Sequence, residues 1–294
     1  MMGMFFLMML AVVAFNFVID PYNYHEAVAL PLRKADIADT ENHRLWKLVQ
    51  YDRHPAANVI FGDSRGGRID AAQVSERLGE PCFNLAYGGG SAYEMIDSFW
   101  HAAQKTQLRR VYFCIGLSMY NRVSSLDLVP EALNTLASPL HYDASAFVTR
   151  VSFDLCADAF GCKTYDDAKP KMGREAFWQQ QLTTTLDGCY GTYVYPQDLR
   201  DAFVAIRRYC DANGIEMSFI IPPVHADMQR RVADYGLTEA DQRFKADLRS
   251  IAPVYDFDVI NEITEDDDLF DDPWHGRREV FDWVVETVWG DGRS

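Results

Sequence analysis

Basic side chains are in short supply. Lys and Arg number 28 against 43 Asp and Glu, a formal net charge of -15 at pH 7, whereas a chain built to hold a polyanion needs clustered cations. Nucleic acid is excluded as the main ligand, and a neutral or locally recognised substrate is expected. Nucleotide signatures are missing too. The triplet Gly88-Gly89-Gly90 does not open a GxGxxG followed by a suitable acidic residue, and no GxxxxGK[ST] occurs. The cysteines at 82, 114, 156, 162, 189 and 210 form neither a CxxC pair nor a zinc-finger spacing. The acidic run 265–272 lacks the alternating ligands and central glycine of an EF-hand loop. No metal and no cofactor are therefore expected. Internal repeats and low-complexity tracts are also absent.

What is present is an ordinary globular balance, 48% hydrophobic and 24% charged over 294 residues, enough for one large domain or two small ones. The N-terminus departs from it. Residues 1–19 ("MMGMFFLMMLAVVAFNFVI") carry no charge before Asp20, and as a helix at about 1.5 Å per residue they reach roughly 28 Å, close to the thickness of a bilayer's hydrocarbon. A single-pass membrane anchor is expected, with the rest of the chain periplasmic. A cleaved signal peptide, with Val12-Val13-Ala14 as the small-residue site, and a buried helix are the competitors. Outside the cytoplasm a disulfide between Cys156 and Cys162, or Cys162 and Cys189, is expected from their clustering in a polar, irregular region. Cys82 and Cys114, inside apolar runs, read as core.

Residues 20–56 read as a stalk and a short helix. Apolar runs at 57–62, 82–87, 109–116, 215–223 and 254–260 then alternate with amphipathic segments. That rhythm predicts an α/β domain over 57–294, a three-layer α/β/α sandwich around a mostly parallel, five-stranded, flavodoxin-like sheet. It breaks between about 117 and 196, which predicts a helical insertion. There Tyr120, Phe147, Phe153, Phe177 and Trp178 are candidates to stack on sugar rings, or form the insertion's own core.

In such a sheet, ligands bind beyond the carboxyl ends of the strands. The first run ends on Gly62-Asp63-Ser64 and the second on Asn84-Leu85-Ala86-Tyr87-Gly88-Gly89-Gly90-Ser91; near the C-terminus stands Asp272-Pro273-Trp274-His275. Ser64 is either a turn residue or a nucleophile presented at a strand end. Asp272 and His275 could supply the carboxylate and the imidazole that acyl transfer by a serine requires.

In that order of motifs, over residues 57–289, the sequence resembles the SGNH (GDSL-like) hydrolase superfamily. The likeness extends to its membrane-anchored bacterial branches, which include envelope polysaccharide O-acetyltransferases and esterases. The resemblance implies Ser64 as nucleophile, His275 as base and Asp272 as the acid. It also implies an oxyanion hole from the backbone N–H groups of Ser64 and Gly89. The family's third block, Gly-x-Asn, reads here Gly116-Leu117-Ser118, with Asn121 three positions late. Either Asn121 curls back as the third donor, or Ser118 substitutes, or only two backbone donors remain. Arg65, His225 and Trp274 are the candidate substrate contacts, with Arg65 and Arg68 alternatively covering the first helix and His225 alternatively a loop residue. The implied activity is cofactor-free, serine-dependent hydrolysis or O-acetyl transfer, through an acyl-enzyme, on an acylated cell-envelope glycan or similar small ester, alongside an envelope acyl-transfer or export partner. The alternative is an inactive relative that binds glycan or scaffolds an export system.

Overall fold

The computed structural model describes residues 2–162 and 172–290. Contacts divide the chain into two compact units, one of Met1–His54 with Leu128–Pro170, the other of Pro55–Asp127 with Lys171–Ser294. The expected insertion is therefore shared between them.

The first unit is helical. Its segment 20–56 is packed rather than stalk-like: Tyr22, Ile37, Leu45, Leu48, Val49 and Tyr51 are all buried. The buried Asp20 carboxylate organises the turn after the first helix, accepting from the N–H groups of Tyr24, His25 and Glu26 and from the Tyr142 hydroxyl. The first helix, Met2–Ile19, forms where the sequence predicts it. However, no helix among the described residues is long and apolar enough to cross a membrane. The carboxyl end of the first helix is packed into protein instead. Asn16 is buried and donates to the Asp143 carbonyl and the Thr149 hydroxyl, both at 2.7 Å, and Ile19 joins Ile37 and Leu155 in a core cluster. Residues 3–11 are the longest unbroken exposed run of this helix, about 14 Å long. The expected disulfides are not formed. Cys156, Cys162 and Cys189 are free thiols: Cys156 packs on the Ile19 cluster, Cys162 stands exposed after the left-handed Gly161, and Cys189 belongs to the other unit.

The second unit is the α/β sandwich. Strands β1 (Asn58–Gly62), β2 (Cys82–Ala86), β3 (Arg110–Cys114), β4 (Glu216–Ile221) and β5 (Val254–Asp256) form one all-parallel sheet in the order β2-β1-β3-β4-β5. A row of phenylalanines crosses its centre in register, Phe61 beside Phe113 and Phe113 beside Phe219. Phe99 of helix Ala92–Lys105 and Phe203 of helix Gln197–Asn213 pack onto this row, with ring centroids 5.3 to 6.2 Å apart for Phe99–Phe61, Phe203–Phe113 and Phe203–Phe219. On the opposite face, Trp289 of helix Arg278–Trp289 meets Tyr112 edge to face at 4.9 Å. Phe113 is fully buried and central to the row. Phe113→Ala is expected to cost about 3 to 5 kcal/mol, read as a lowered urea midpoint with the slope unchanged.

Two short strands, β6 (Phe270–Asp272) and β7 (His275–Gly276), form a separate antiparallel hairpin. It seats on the last helix, where a Cβ at Gly276 would lie 2.8 Å from Val280, so a side chain there would push the hairpin away.

Candidate active site

The sheet order reverses direction between β1 and β3, so their carboxyl ends border the crevice where α/β proteins bind ligands. Gly62, the last residue of β1, pairs with Ala86 and with Cys114. A Cβ on Gly62 would come 3.0 Å from the Cys114 Cβ and 3.1 Å from the Gly66 Cα. Glycine lets the chain fold back at once, which puts Ser64 at the strand end and starts the short 3-10 turn Gly66–Arg68.

The block-two turn is bonded to the same strand end. The Tyr87 N–H donates to the Gly62 carbonyl at 2.9 Å, and the Gly90 N–H to the Tyr87 carbonyl. Gly89 between them has φ of 63°, a left-handed conformation. Ser91 then caps helix Ala92–Lys105 in a reciprocal capping box with Glu94. Within the described residues no protein acceptor takes the backbone N–H of Ser64 or Gly89.

The hairpin supplies the other half of the site. Pro273 and Trp274 form its turn, and Asp272 Oδ1 accepts from the N–H groups of Trp274 at 2.8 Å and His275 at 3.2 Å. The same carboxylate holds the imidazole, Oδ2 lying 2.8 Å and Oδ1 3.0 Å from His275 Nδ1. The other ring nitrogen, Nε2, lies 2.8 Å from Ser64 Oγ. Ser64, His275 and Asp272 thus stand in one hydrogen-bonded chain. Asp272 is buried, which works to raise its pKa, but the hydrogen bond and charge of His275, with the two turn N–H groups, hold it below the ordinary carboxylate value.

The remaining expected residues are placed differently. Asn121 is fully buried and committed elsewhere: its amide donates to the Cys189 carbonyl at 2.8 Å, and its Oδ1 accepts from Val123 and Val194. It latches two loops together, so Asn121 is not the third oxyanion donor. His225 is buried rather than facing a cleft. Its Nδ1 accepts from the Asp227 N–H as the cap of helix Ala226–Asp234, and its ring meets Trp178 and Phe270 edge to face. Arg65 is 3% exposed, its guanidinium bonded to Asp63 at 2.7 to 3.2 Å. Burial works to lower its pKa, but the Asp63 carboxylate outweighs that and raises it. Trp274 packs beneath Arg65, 5.3 Å from ring centroid to Cζ, and against Tyr190. Its Nε1 is enclosed with no hydrogen-bond partner among the described residues. Among the aromatic candidates, Tyr120 is buried and donates to Asp247, while Phe147 and Phe153 belong to the first unit.

Two residues named in the sequence take positioning roles that it did not assign them. Asn84 donates to the carbonyls of Gly66 and Ile69, both at 2.9 Å, and so fixes the turn that follows Ser64; its only signal is an amide inside an apolar strand. Arg68 donates to Asp271 at 2.8 Å and to the Gly276 carbonyl at 3.0 Å, tying that turn to the hairpin. A cavity of about 410 Å³, lined by residues including Tyr112, Cys210, Glu216 and Tyr255, lies towards the amino end of β4, away from this chemistry. Among the described residues no cluster of His, Cys, Asp and Glu is placed to hold a metal ion.

The chain is thus a parallel α/β protein with a serine–histidine–aspartate array at the carboxyl edge of its sheet. No protein-family model and no curated protein matches the sequence. Among solved structures it is similar to a chain from Streptococcus pneumonia provisionally described as a platelet activating factor, with TM-score 0.44 and 8% identity over 86% of this chain and 94% of that one. A Bacteroides fragilis chain provisionally described as an acylhydrolase is similar with TM-score 0.41 and 13% identity, over 81% of this chain and 90% of that one. Likenesses this distant carry no argument about chemistry, which rests on the site itself.

Proposed function

We propose that the protein is a serine-dependent carboxylic-ester hydrolase or O-acyltransferase. The observation that carries this reading is the pair of 2.8 Å contacts, Ser64 Oγ to His275 Nε2 and His275 Nδ1 to Asp272 Oδ2. Nε2 takes the hydroxyl proton as Oγ attacks the acyl carbon, and the carbonyl electron pair moves onto oxygen. Collapse of the tetrahedral intermediate expels the alcohol, which takes the proton from Nε2. Water or a sugar hydroxyl then repeats the sequence on the acyl-enzyme. Asp272 holds the imidazole in the required tautomer and stabilises its cation, while the N–H groups of Ser64 and Gly89 serve the oxyanion. No cofactor takes part in this scheme.

An acylated envelope glycan or comparable small ester is the substrate class we assign. The order of the Gly62-Asp63-Ser64, Asn84–Gly89 and Asp272–His275 motifs supports it. The same reading places the α/β unit on the outer side of a membrane, beside partners that supply or export the glycan. The exposed side chains of Met4, Phe5, Phe6, Leu7, Met8 and Leu10 support membrane attachment, with the helix dipping into one leaflet because its unbroken exposed run, residues 3–11, is about half a bilayer long. The full chain is expected to float with neutral phosphatidylcholine vesicles at high salt, and Phe6→Asp with Leu7→Asp to leave it in the soluble fraction.

The activity is tested with a fluorophosphonate probe and by acetate release from p-nitrophenyl acetate and acetylated oligosaccharides. Labelling of the wild type and none of Ser64→Ala is expected. A folded wild type that neither labels nor releases acetate would replace the enzyme with a glycan-binding or scaffold protein.

A further inference from the structure

The place where the third oxyanion donor is expected, just beyond β3, is filled. A Cβ on Gly116 would lie 2.9 Å from Arg65 Nη1 and 3.1 Å from Nη2, so the guanidinium occupies the space above the end of β3 that a bare glycine leaves open. It is also fixed there. Nε and Nη2 donate to the Asp63 carboxylate, with Nη2 2.7 Å from Oδ2, and the Arg65 backbone N–H donates to Oδ1 at 2.9 Å. Nη2 stands 3.5 Å from the Ser118 hydroxyl, at the position of the missing asparagine. The Trp274 ring closes the other side.

Two arms of this fork are thereby used and one is left. Nη1 carries two N–H donors and bonds to no protein acceptor among the described residues. The side chain that presents it follows Ser64 directly, and the ring stacked on it belongs to the residue before His275. Asp63 answers the net charge, so an anionic substrate gains little from this arginine, whereas oriented N–H dipoles in a dry site stabilise charge that develops during reaction. The Asp63–Arg65 pair fixes the fork in one geometry, as an oxyanion donor requires.

We propose that Arg65 is a catalytic residue, its Nη1 donating to the oxyanion of the tetrahedral intermediate in place of the absent Gly-x-Asn asparagine. This rests on the ester-transfer reading above. As the Ser64 Oγ–carbon bond forms, the carbonyl π pair moves to oxygen and is met by the Nη1–H groups beside the N–H donors of Ser64 and Gly89. When the leaving alcohol departs the pair returns, with no proton passing to or from Arg65.

Removing Arg65 alone strands a buried carboxylate, so the principal variant is the double replacement Arg65→Met with Asp63→Asn. In the full chain, kcat for p-nitrophenyl acetate is expected to fall by about 10² to 10³ with KM within threefold of wild type. A second variant, Arg65→Gly, leaves Asp63 to hold an added cation. Millimolar methylguanidinium is expected to restore its rate at least about tenfold, and methylammonium is not, since only the planar fork bonds the carboxylate while presenting a second donor arm. A double variant that keeps kcat within threefold would overturn the proposal, as would equal rescue by both amines, or none in a folded Arg65→Gly. In those cases Ser64-dependent labelling of the wild type still stands, and with it the ester-transfer reading. A wild type that does not label at all sinks both.

Discussion

Ser64→Ala is expected to lower kcat/KM for p-nitrophenyl acetate by at least about 10⁴, to the level of the oxyanion donors acting on water alone. The size follows from the unit character of the array. Without Oγ, His275 Nε2 loses the hydroxyl it contacts, Asp272 orients a base with nothing to deprotonate, and no acyl-enzyme forms. Ser64 is only partly buried, so the loss of one hydroxyl leaves the fold intact. Circular dichroism and urea midpoint should match wild type, which separates a chemical loss from a structural one. Equal rates in variant and wild type would return Ser64 to the role of a turn residue.

Asp272→Asn should cost nearly as much, about 10³ to 10⁴ in kcat, for a different reason. The asparagine keeps an oxygen for the N–H groups of Trp274 and His275, so the hairpin turn survives. Its amide, however, faces Nδ1 as a donor and selects the tautomer whose Nε2 carries a proton already, leaving no base for Ser64. Linkage gives a second signature. The Asp272 carboxyl is held below its ordinary value by His275 and the turn, so its contribution to stability is present above the unfolded carboxyl pKa of about 4 and is lost as pH falls through the lower folded value. The wild type should therefore exceed Asp272→Asn in urea midpoint at pH 7, and the gap should shrink and close as pH falls below the unfolded carboxyl value and through the lower folded one.

The sheet was legible because strands buried on both faces must be short, continuous apolar runs, and Asn58–Gly62 and Arg110–Cys114 are such runs. Ser64, Asp272 and His275 could be named because each follows a recognisable strand or turn in a fixed order. Side-chain partners drawn from distant segments were not legible. Nothing local in Asn121 announces the Cys189 and Val194 backbone that engages it, and His225 looks the same in sequence whether it caps a helix or lines a cleft. The N-terminal helix misled for a related reason. Phe15 and Ile19 are as apolar against Leu155 as they would be in lipid, and hydropathy alone does not distinguish a protein interior from a bilayer. The first unit is likewise assembled from segments separated by the whole of β1 to β3.

The contact between Ser64 and His275 joins residues 211 positions apart. Acid and base flank a two-residue turn, but nucleophile and base meet only when the hairpin carried on the last helix has reached the end of β1. A ribosome extending this chain therefore carries Ser64 without its base until the segment holding His275 has been made. On the proposed reading, turnover of a chromogenic ester by refolding chains is thus expected to double as a clock for the pairing of these two distant segments.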